Sequence, residues 1–166
     1  MTSAPSAQLV RSLLTYEMQT GVFNWRRAPT NQVQAGAKAG WIEARGYRRI
    51  CIGGKSYQAH RLAWLYVTGS WPEDQIDHIN LNRSDNRWSN LRAATNSQNQ
   101  ANVGPSRRSS SGIKGVYWHR RIGKWHASIM FNRRLICLGY RNTKEEAAAL
   151  YAAAAKKFFG QFARTA

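Results

Sequence analysis

Gln75-Ile-Asp-His-Ile-Asn80 and, after a polar stretch, Asn86-Arg-Trp-Ser-Asn-Leu-Arg-Ala-Ala-Thr-Asn-Ser-Gln-Asn99 decide how this chain reads. Residues 75–78 suit a short strand, on which the adjacent Asp77 and His78 project to opposite faces. One can hold a divalent cation while the other stands across a scissile phosphate. A carboxylate oxygen suits Mg2+ or Mn2+, which keep several waters and accept few protein ligands. A neutral imidazole can take a proton from water near pH 7. An isolated Asp-His pair has a simpler reading, a loop aspartate beside a structural histidine. The sequence that follows gives the pair a chemical meaning. Residues 91–95 form a second short strand, and Thr95 then caps a helix running through Asn99. This strand–loop–strand–helix frame returns a helical asparagine to the side of Asp77.

Upstream, residues 46–59 alternate apolar and polar on both sides of Gly53-Gly54, which marks a hairpin. Arg48, Ile50 and Ile52 share one face; Tyr47, Arg49 and Cys51 share the other. Residues 60–67 continue as an amphipathic helix, ended by Gly69 and Pro72. His60 opens that helix and reads as a packed or capping residue. Further back, a short helix is expected over residues 10–18 and a strand over residues 22–25 after the Thr20-Gly21 turn. Residues 31–40 show no period and read as loop.

Downstream, residues 102–112 are dense in Gly, Pro, Ser and Arg and read as a linker. The whole chain of 166 residues carries 25 Lys and Arg against eight Asp and Glu, a formal net charge of +17. Residues 104–166 hold 13 of those basic groups and only two acidic ones. Charge of that size calls for a polyanionic partner, because neutralised phosphates release counterions. Strands are expected at residues 115–119, 124–131 and 135–139, followed by a helix with a capping box at Thr143 and Glu146, stopped by Gly160. Ala147, Leu150, Tyr151, Ala154 and Phe158 form its apolar stripe. Trp125, Ala127, Ile129 and Phe131 should pack beneath it, with Trp118 on the same side. Two cysteines with no CxxC argue against a disulfide framework and a thiolate zinc cluster. No apolar run approaches the roughly 20 residues that span a bilayer. The N-terminus lacks the basic flank and apolar run of a signal peptide. The chain therefore reads as intracellular, with no membrane partner.

Residues 59–64 (Ala-His-Arg-Leu-Ala-Trp), 75–80 and 86–92 resemble the phage-type HNH homing endonucleases, whose nuclease site is a ββα-metal fold. Gly112-Ile-Lys-Gly-Val116, Gly123-Lys-Trp125, Leu138-Gly-Tyr140 and Thr143-Lys-Glu-Glu-Ala-Ala148 resemble an Apetala-two (ethylene-response-factor) DNA-binding domain. The implied architecture is α+β. An HNH domain at 45–103 and a linker at 104–112 lead to a three-stranded antiparallel sheet on one helix at 113–163, and residues 1–44 have no assigned role.

The resemblance implies that His78 is the general base and Asp77 a metal ligand. It makes Asn90, or else Asn86, the brace that orients the base. The second ligand would be Asn99, or Asn96 one helical turn earlier. The implied cofactor is one Mg2+ or Mn2+ per active site, with no small-molecule cofactor. The implied reaction is phosphodiester hydrolysis of double-stranded DNA, by a monomer or weak dimer in the cytoplasm of a phage-infected bacterial cell. DNA contacts would come from the sheet and its turns, through Lys114, Tyr117, His119, Arg120, Arg121, Lys124, His126, Ser128 and Met130. Arg107 and Arg108 in the linker, with Arg48 and Arg61, would track phosphates. Tyr117, His119, Ser128 and Met130 depart from the arginines and tryptophans the plant domain uses, so the plant target is not implied. The rival reading is a transcription regulator whose nuclease-like part is inactive.

Overall fold

A computed structural model describes residues 4–27, 30, 33–106 and 109–164. Its packing divides the chain into two compact units, residues 1–93 and 94–166. The division falls within a strand, upstream of the expected linker. Residues 1–44 are therefore no separate segment: Val10, Leu14 and Phe23 share one core with Ile50, Leu62 and Leu65.

The first unit opens with α1 (Ala7–Leu13), whose Ser6 hydroxyl accepts from the Leu9 N–H at 3.2 Å. The expected helix stops early. Leu14–Glu17 is instead strand β1, paired antiparallel with β2 (Val22–Trp25) from Leu14↔Trp25 to Glu17↔Val22. The alternation of Leu14 and Tyr16, both buried, favours a pleated surface over a helical stripe. A two-residue strand β3 (Trp41–Ile42), with no sequence period to announce it, lies beside β4 (Arg48–Ile52), which pairs with β5 (Lys55–Gln58). Gly53 and Gly54 both take positive φ in the tight turn, and Ile50 and Ile52 point into the core as the alternation requires. Helix α2 (Ala59–Thr68) follows, with Gly69 in the left-handed region returning its N–H to the Leu65 carbonyl at 2.9 Å. Strands β6 (Gln75–His78) and β7 (Leu91–Ala94) form a separate two-stranded sheet, and a 3-10 turn at Trp88–Asn90 leads into β7.

The second unit begins with α3 (Asn96–Asn102), where the Thr95 hydroxyl and the Gln98 amide form a reciprocal capping box. Strands β8 (Val116–His119), β9 (Lys124–Phe131) and β10 (Arg134–Arg141) make an antiparallel sheet in the order β10-β9-β8. Helix α4 (Lys144–Phe159) is capped by Thr143 and Glu146. Its buried face is Ala147, Tyr151, Ala155 and Phe159, turned slightly from the expected stripe; Leu150, Ala154 and Phe158 flank it. Val116, Ala127 and Ile129 meet that face, with Trp125 and Phe131 beside them. Trp118 departs from expectation. It shares their parity but is 44% exposed, resting edge-on against Trp125 with ring centroids 5.4 Å apart. No helix among the described residues is long and apolar enough to cross a membrane.

Candidate active site

Asp77 and His78 are consecutive on β6 and both are buried, at 3% and 5% exposure. Two carboxylate or imidazole groups at that depth need partners, and each finds a different one. Asp77 Oδ2 accepts from Arg92 Nε at 2.9 Å and from Nη2 at 2.8 Å. Arg92 stands on β7, the strand beside β6, so the sheet itself delivers the guanidinium. His78 Nε2 lies 3.1 Å from Asn86 Oδ1. The Asn86 amide nitrogen donates to the Ser84 carbonyl at 3.3 Å, which leaves its oxygen for the imidazole. In that orientation the Asn86 oxygen facing His78 Nε2 can only accept a hydrogen bond.

Asn90 does a different job. Its side-chain oxygen accepts from the Asn80 N–H at 3.0 Å, and its nitrogen donates to Asn80 Oδ1 at 3.0 Å and to the Asp85 carbonyl at 2.8 Å. Its own carbonyl accepts from the Ile79 N–H at 3.0 Å. Asn90 thus ties down residues 79–85 and makes no hydrogen bond to His78, whereas Asn86 does. Asp85 is held by Arg87 Nε and Nη2 at 2.9 and 2.6 Å and by Asn80 Nδ2 at 2.7 Å. Chiefly the hydrogen bond from Arg87 brings its carboxyl down to about 2.

Burial pushes the His78 imidazole below its ordinary value, against the upward pull of Asn86, Asp77 and Asp85. It is neutral at pH 7, the state a base requires. His60, the second residue of α2, packs its ring edge-on against His78 at 5.0 Å and near Tyr47 at 5.4 Å. Its Nδ1 is buried with no hydrogen-bond partner. Burial, then the proximity of His78 and Arg61, brings its pKa down to about 3. His60 is a neutral packing residue.

The described residues contain no group of three or more His, Cys, Asp and Glu side chains placed to hold a metal ion. The donors on offer are a carboxylate and amide oxygens. They fit a hard cation that keeps waters and takes substrate phosphate, and do not fit a thiolate or imidazole cage. Asn96 and Asn99 occupy one side of α3, three residues apart, in the second unit.

Residues 57–101 match the family model described as HNH endonuclease. That segment is an HNH endonuclease domain. An HNH endonuclease of Acanthamoeba polyphaga mimivirus is 37% identical over 110 residues, which cover 64% of this chain and 55% of that protein. Protein 3.8 of Escherichia phage T7 is 28% identical over 111 residues, covering 66% of this chain and 91% of its own. A solved structure of DNA binding and cleavage by the HNH homing endonuclease I-HmuI aligns at 27% identity and a TM-score of 0.41, over 54% of this chain and 50% of that one. The chain thus spans about half the length of the mimivirus relative and of the solved structure.

The residues expected on DNA differ in their surroundings. Arg120, Arg121 and Lys124 are exposed at the β8–β9 turn, and Tyr117 and Met130 are exposed on the sheet face away from α4. His126 and Ser128 share that face but are buried, because Tyr117 and Tyr140 close over His126 with ring centroids 4.6 and 4.7 Å away. His119 packs against Tyr140 at 5.5 Å, and its Nδ1 accepts from the Ile122 N–H at 3.3 Å. Other cations are engaged internally. Lys114 Nζ donates to the carbonyls of Gln100, Ala101 and Val103 at 2.6–2.9 Å, capping the C-terminal end of α3, and burial lowers its pKa to about 8. Arg48 binds the carbonyls of Ala39 and Gly40 at 3.3 and 3.0 Å. Arg61 binds those of Asp74 and Pro72 at 3.1 and 3.3 Å, with its guanidinium over Trp71. Arg107 and Arg108 lie outside the described residues.

Three contacts carry no local sequence signal: Arg92 with Asp77, Tyr16 with the Asn86 carbonyl at 2.7 Å, and His60 with His78. Strand adjacency could have suggested the first. The other two join distant segments.

The buried neutral His60 gives a pH signature. Between about pH 6.5 and about 3 the unfolded chain binds a proton there that the folded chain refuses, so stability contributed by this site is full above about 6.5 and is lost as pH falls towards about 3. His60→Phe keeps a ring of similar shape without the nitrogen. Urea midpoints measured at pH 7.5 and 4.5 should drop less on acidification in the variant than in the parent. An equal drop in both would show that His60 does not carry this acid sensitivity.

Proposed function

We propose that the chain is a divalent-metal-dependent HNH endonuclease of homing type that hydrolyses phosphodiesters of duplex DNA, nicking or cutting DNA held by its C-terminal sheet unit. The observation that carries this reading is the pair on β6. Asp77 and His78 leave one strand in opposite directions, and the histidine is buried, neutral and held through Nε2. In the reaction, Nδ1 of His78 accepts a proton from water as the water oxygen forms its bond to phosphorus. The bond from phosphorus to the 3′ oxygen breaks and that oxygen takes a proton from solvent, leaving 5′-phosphate and 3′-hydroxyl ends. Asp77 would hold the cation, with Asn99 as the second ligand that the family pattern implies. When bound, Mg2+ or Mn2+ supplies charge that offsets the negative charge developing on the phosphate and the leaving oxygen. Arg92 fixes the Asp77 carboxylate through Oδ2. Asn90 keeps the loop between the two strands closed around the site. Viral relatives, one of them an HNH endonuclease by name, support a protein of phage or intron origin.

The sheet β8–β10 backed by α4 supports the reading of residues 113–163 as an Apetala-two-like duplex-DNA module, with Arg120, Arg121 and Lys124 as its phosphate contacts. Its exposed face carries Tyr117 and Met130, with Lys124 at the end of the same strand face.

Supercoiled plasmid carrying phage-derived DNA, incubated with Mg2+ or Mn2+, should be converted to relaxed circle, and both EDTA and His78→Ala should abolish the conversion. Tight, metal-independent binding with intact plasmid would favour a regulator with an inactive nuclease domain instead. In a second measurement, changing Arg120, Arg121 and Lys124 to Gln should flatten the plot of log affinity against log salt by about 0.9 for each phosphate that is no longer neutralised. An unchanged slope would remove that turn from the DNA interface.

A further inference from the structure

Asn86 is 1% exposed, and its side chain and carbonyl are hydrogen-bonded within the first unit. Oδ1 faces His78 Nε2, Nδ2 donates to the Ser84 carbonyl, and the carbonyl oxygen accepts from the Tyr16 hydroxyl at 2.7 Å. Tyr16 lies on β1, 70 residues away in the chain. Burial holds its phenol well above the ordinary range, so it is a hydroxyl donor. The turn of the same hairpin presses on the same loop. Gly21 has φ +72°, and a Cβ there would stand 2.3 Å from the Asn86 carbonyl carbon and from the Arg87 nitrogen. Only glycine permits that approach. A third tie is the Trp88 N–H, which donates to the Met18 carbonyl at 2.9 Å. The β1–β2 hairpin therefore grips residues 86–88 at three points, and residue 86 grips the imidazole.

A neutral imidazole carries one proton, and which nitrogen bears it is set by the partner of the other. With Nδ2 of Asn86 committed to Ser84, the atom facing His78 can only accept. The ring must then present Nε2–H inward and keep its lone pair on Nδ1. Nothing about a packing role alone requires this polarity, since an apolar side chain of the same volume would fill the space.

We infer that Asn86 is the positioning residue of this site, selecting the Nε2–H tautomer and ring orientation of His78, and that the N-terminal hairpin is its buttress. The inference rests on the reading of His78 as the base. Between the two asparagines expected for that role, it assigns the orientation to Asn86 and not to Asn90, and gives residues 14–25 a part in the chemistry.

The test uses the full chain. Long-range proton–nitrogen NMR of the metal-free protein reads the His78 tautomer without any turnover, and single-turnover nicking and DNA affinity are measured beside it. The wild type should show Nε2–H. Asn86→Leu should lose the single tautomer and slow the nicking step by about a hundredfold, while DNA affinity stays within about threefold. Asn86→Asp keeps an acceptor in place and should restore the Nε2–H tautomer, with a rate between those of Asn86→Leu and the wild type. Tyr16→Phe should slow nicking less than Asn86→Leu, again with affinity held. A folded Asn86→Leu protein with unchanged tautomer and rate would overturn the inference. So would Nδ1–H in the wild type, or an Asn86→Asp protein with Nδ1–H, and these decide the matter if the leucine variant does not fold. A wild type that shows Nε2–H but never nicks would leave the positioning intact and sink the nuclease reading. Normal nicking with Nδ1–H would do the reverse.

Discussion

The hydrogen bond between His78 Nε2 and Asn86 Oδ1 constrains most of the first unit. A histidine at 5% exposure cannot be left to water for its hydrogen bonds, and a charged one would be costly to bury. Burial keeps it neutral, and Asn86 takes up its one N–H. For Asn86 to be in place, the loop from Ser84 to Trp88 has to be rigid. Rigidity comes from two sides. Asn90 laces residues 79–85 together, and the β1–β2 hairpin clamps residues 86–88 through Tyr16, Met18 and Gly21. The hydrophobic core beneath, with Val10, Leu14 and Phe23 against Ile50 and Leu62, fixes the hairpin to β4 and α2. Burial of apolar side chains in the N-terminal segment is thus transmitted to one imidazole.

Buried and irregular backbone groups also draw cations inward. In a chain with a formal charge of +17, several cations are engaged internally and do not simply face solvent. Arg92 neutralises the buried Asp77, Arg87 holds Asp85, and Arg48 and Arg61 satisfy backbone carbonyls of irregular segments. Lys114 completes the end of α3. The exposed cations at the β8–β9 turn, Arg120, Arg121 and Lys124, are better placed for a polyanion than these tethered groups, because they need not give up a protein partner to bind one.

Local signals in the sequence are legible wherever one residue type forces one backbone state. Gly53-Gly54 marks the hairpin, Gly69 the end of α2, and the capping boxes at Thr95 and Thr143 the starts of α3 and α4. The strand bearing Asp77 and His78 is legible in the same way, as is the parity of Ala127 and Ile129. Residues 10–18 mislead because Val10, Leu13 and Leu14 fit a helical stripe, and only pairing with β2 turns Leu14–Glu17 into a strand. Trp118 misleads because its alternation is correct but no α4 residue covers that end of the sheet closely enough to bury it. Asn86 and Asn90 cannot be assigned separate tasks from spacing, since both are asparagines of one loop and their difference lies in which neighbour each amide meets. The tie from Tyr16 to Asn86 spans 70 residues and leaves no trace in any local pattern.

Water deprotonated by His78 is proposed to attack phosphorus and displace the 3′ oxygen. Nicking carried out in water enriched in oxygen-18, followed by mass spectrometry of the new ends, tests it most directly. One heavy oxygen is expected in the 5′-phosphate, beside a 3′-hydroxyl that DNA ligase can reseal. A 3′-phosphate end, or a 5′-phosphate without the label, would contradict it.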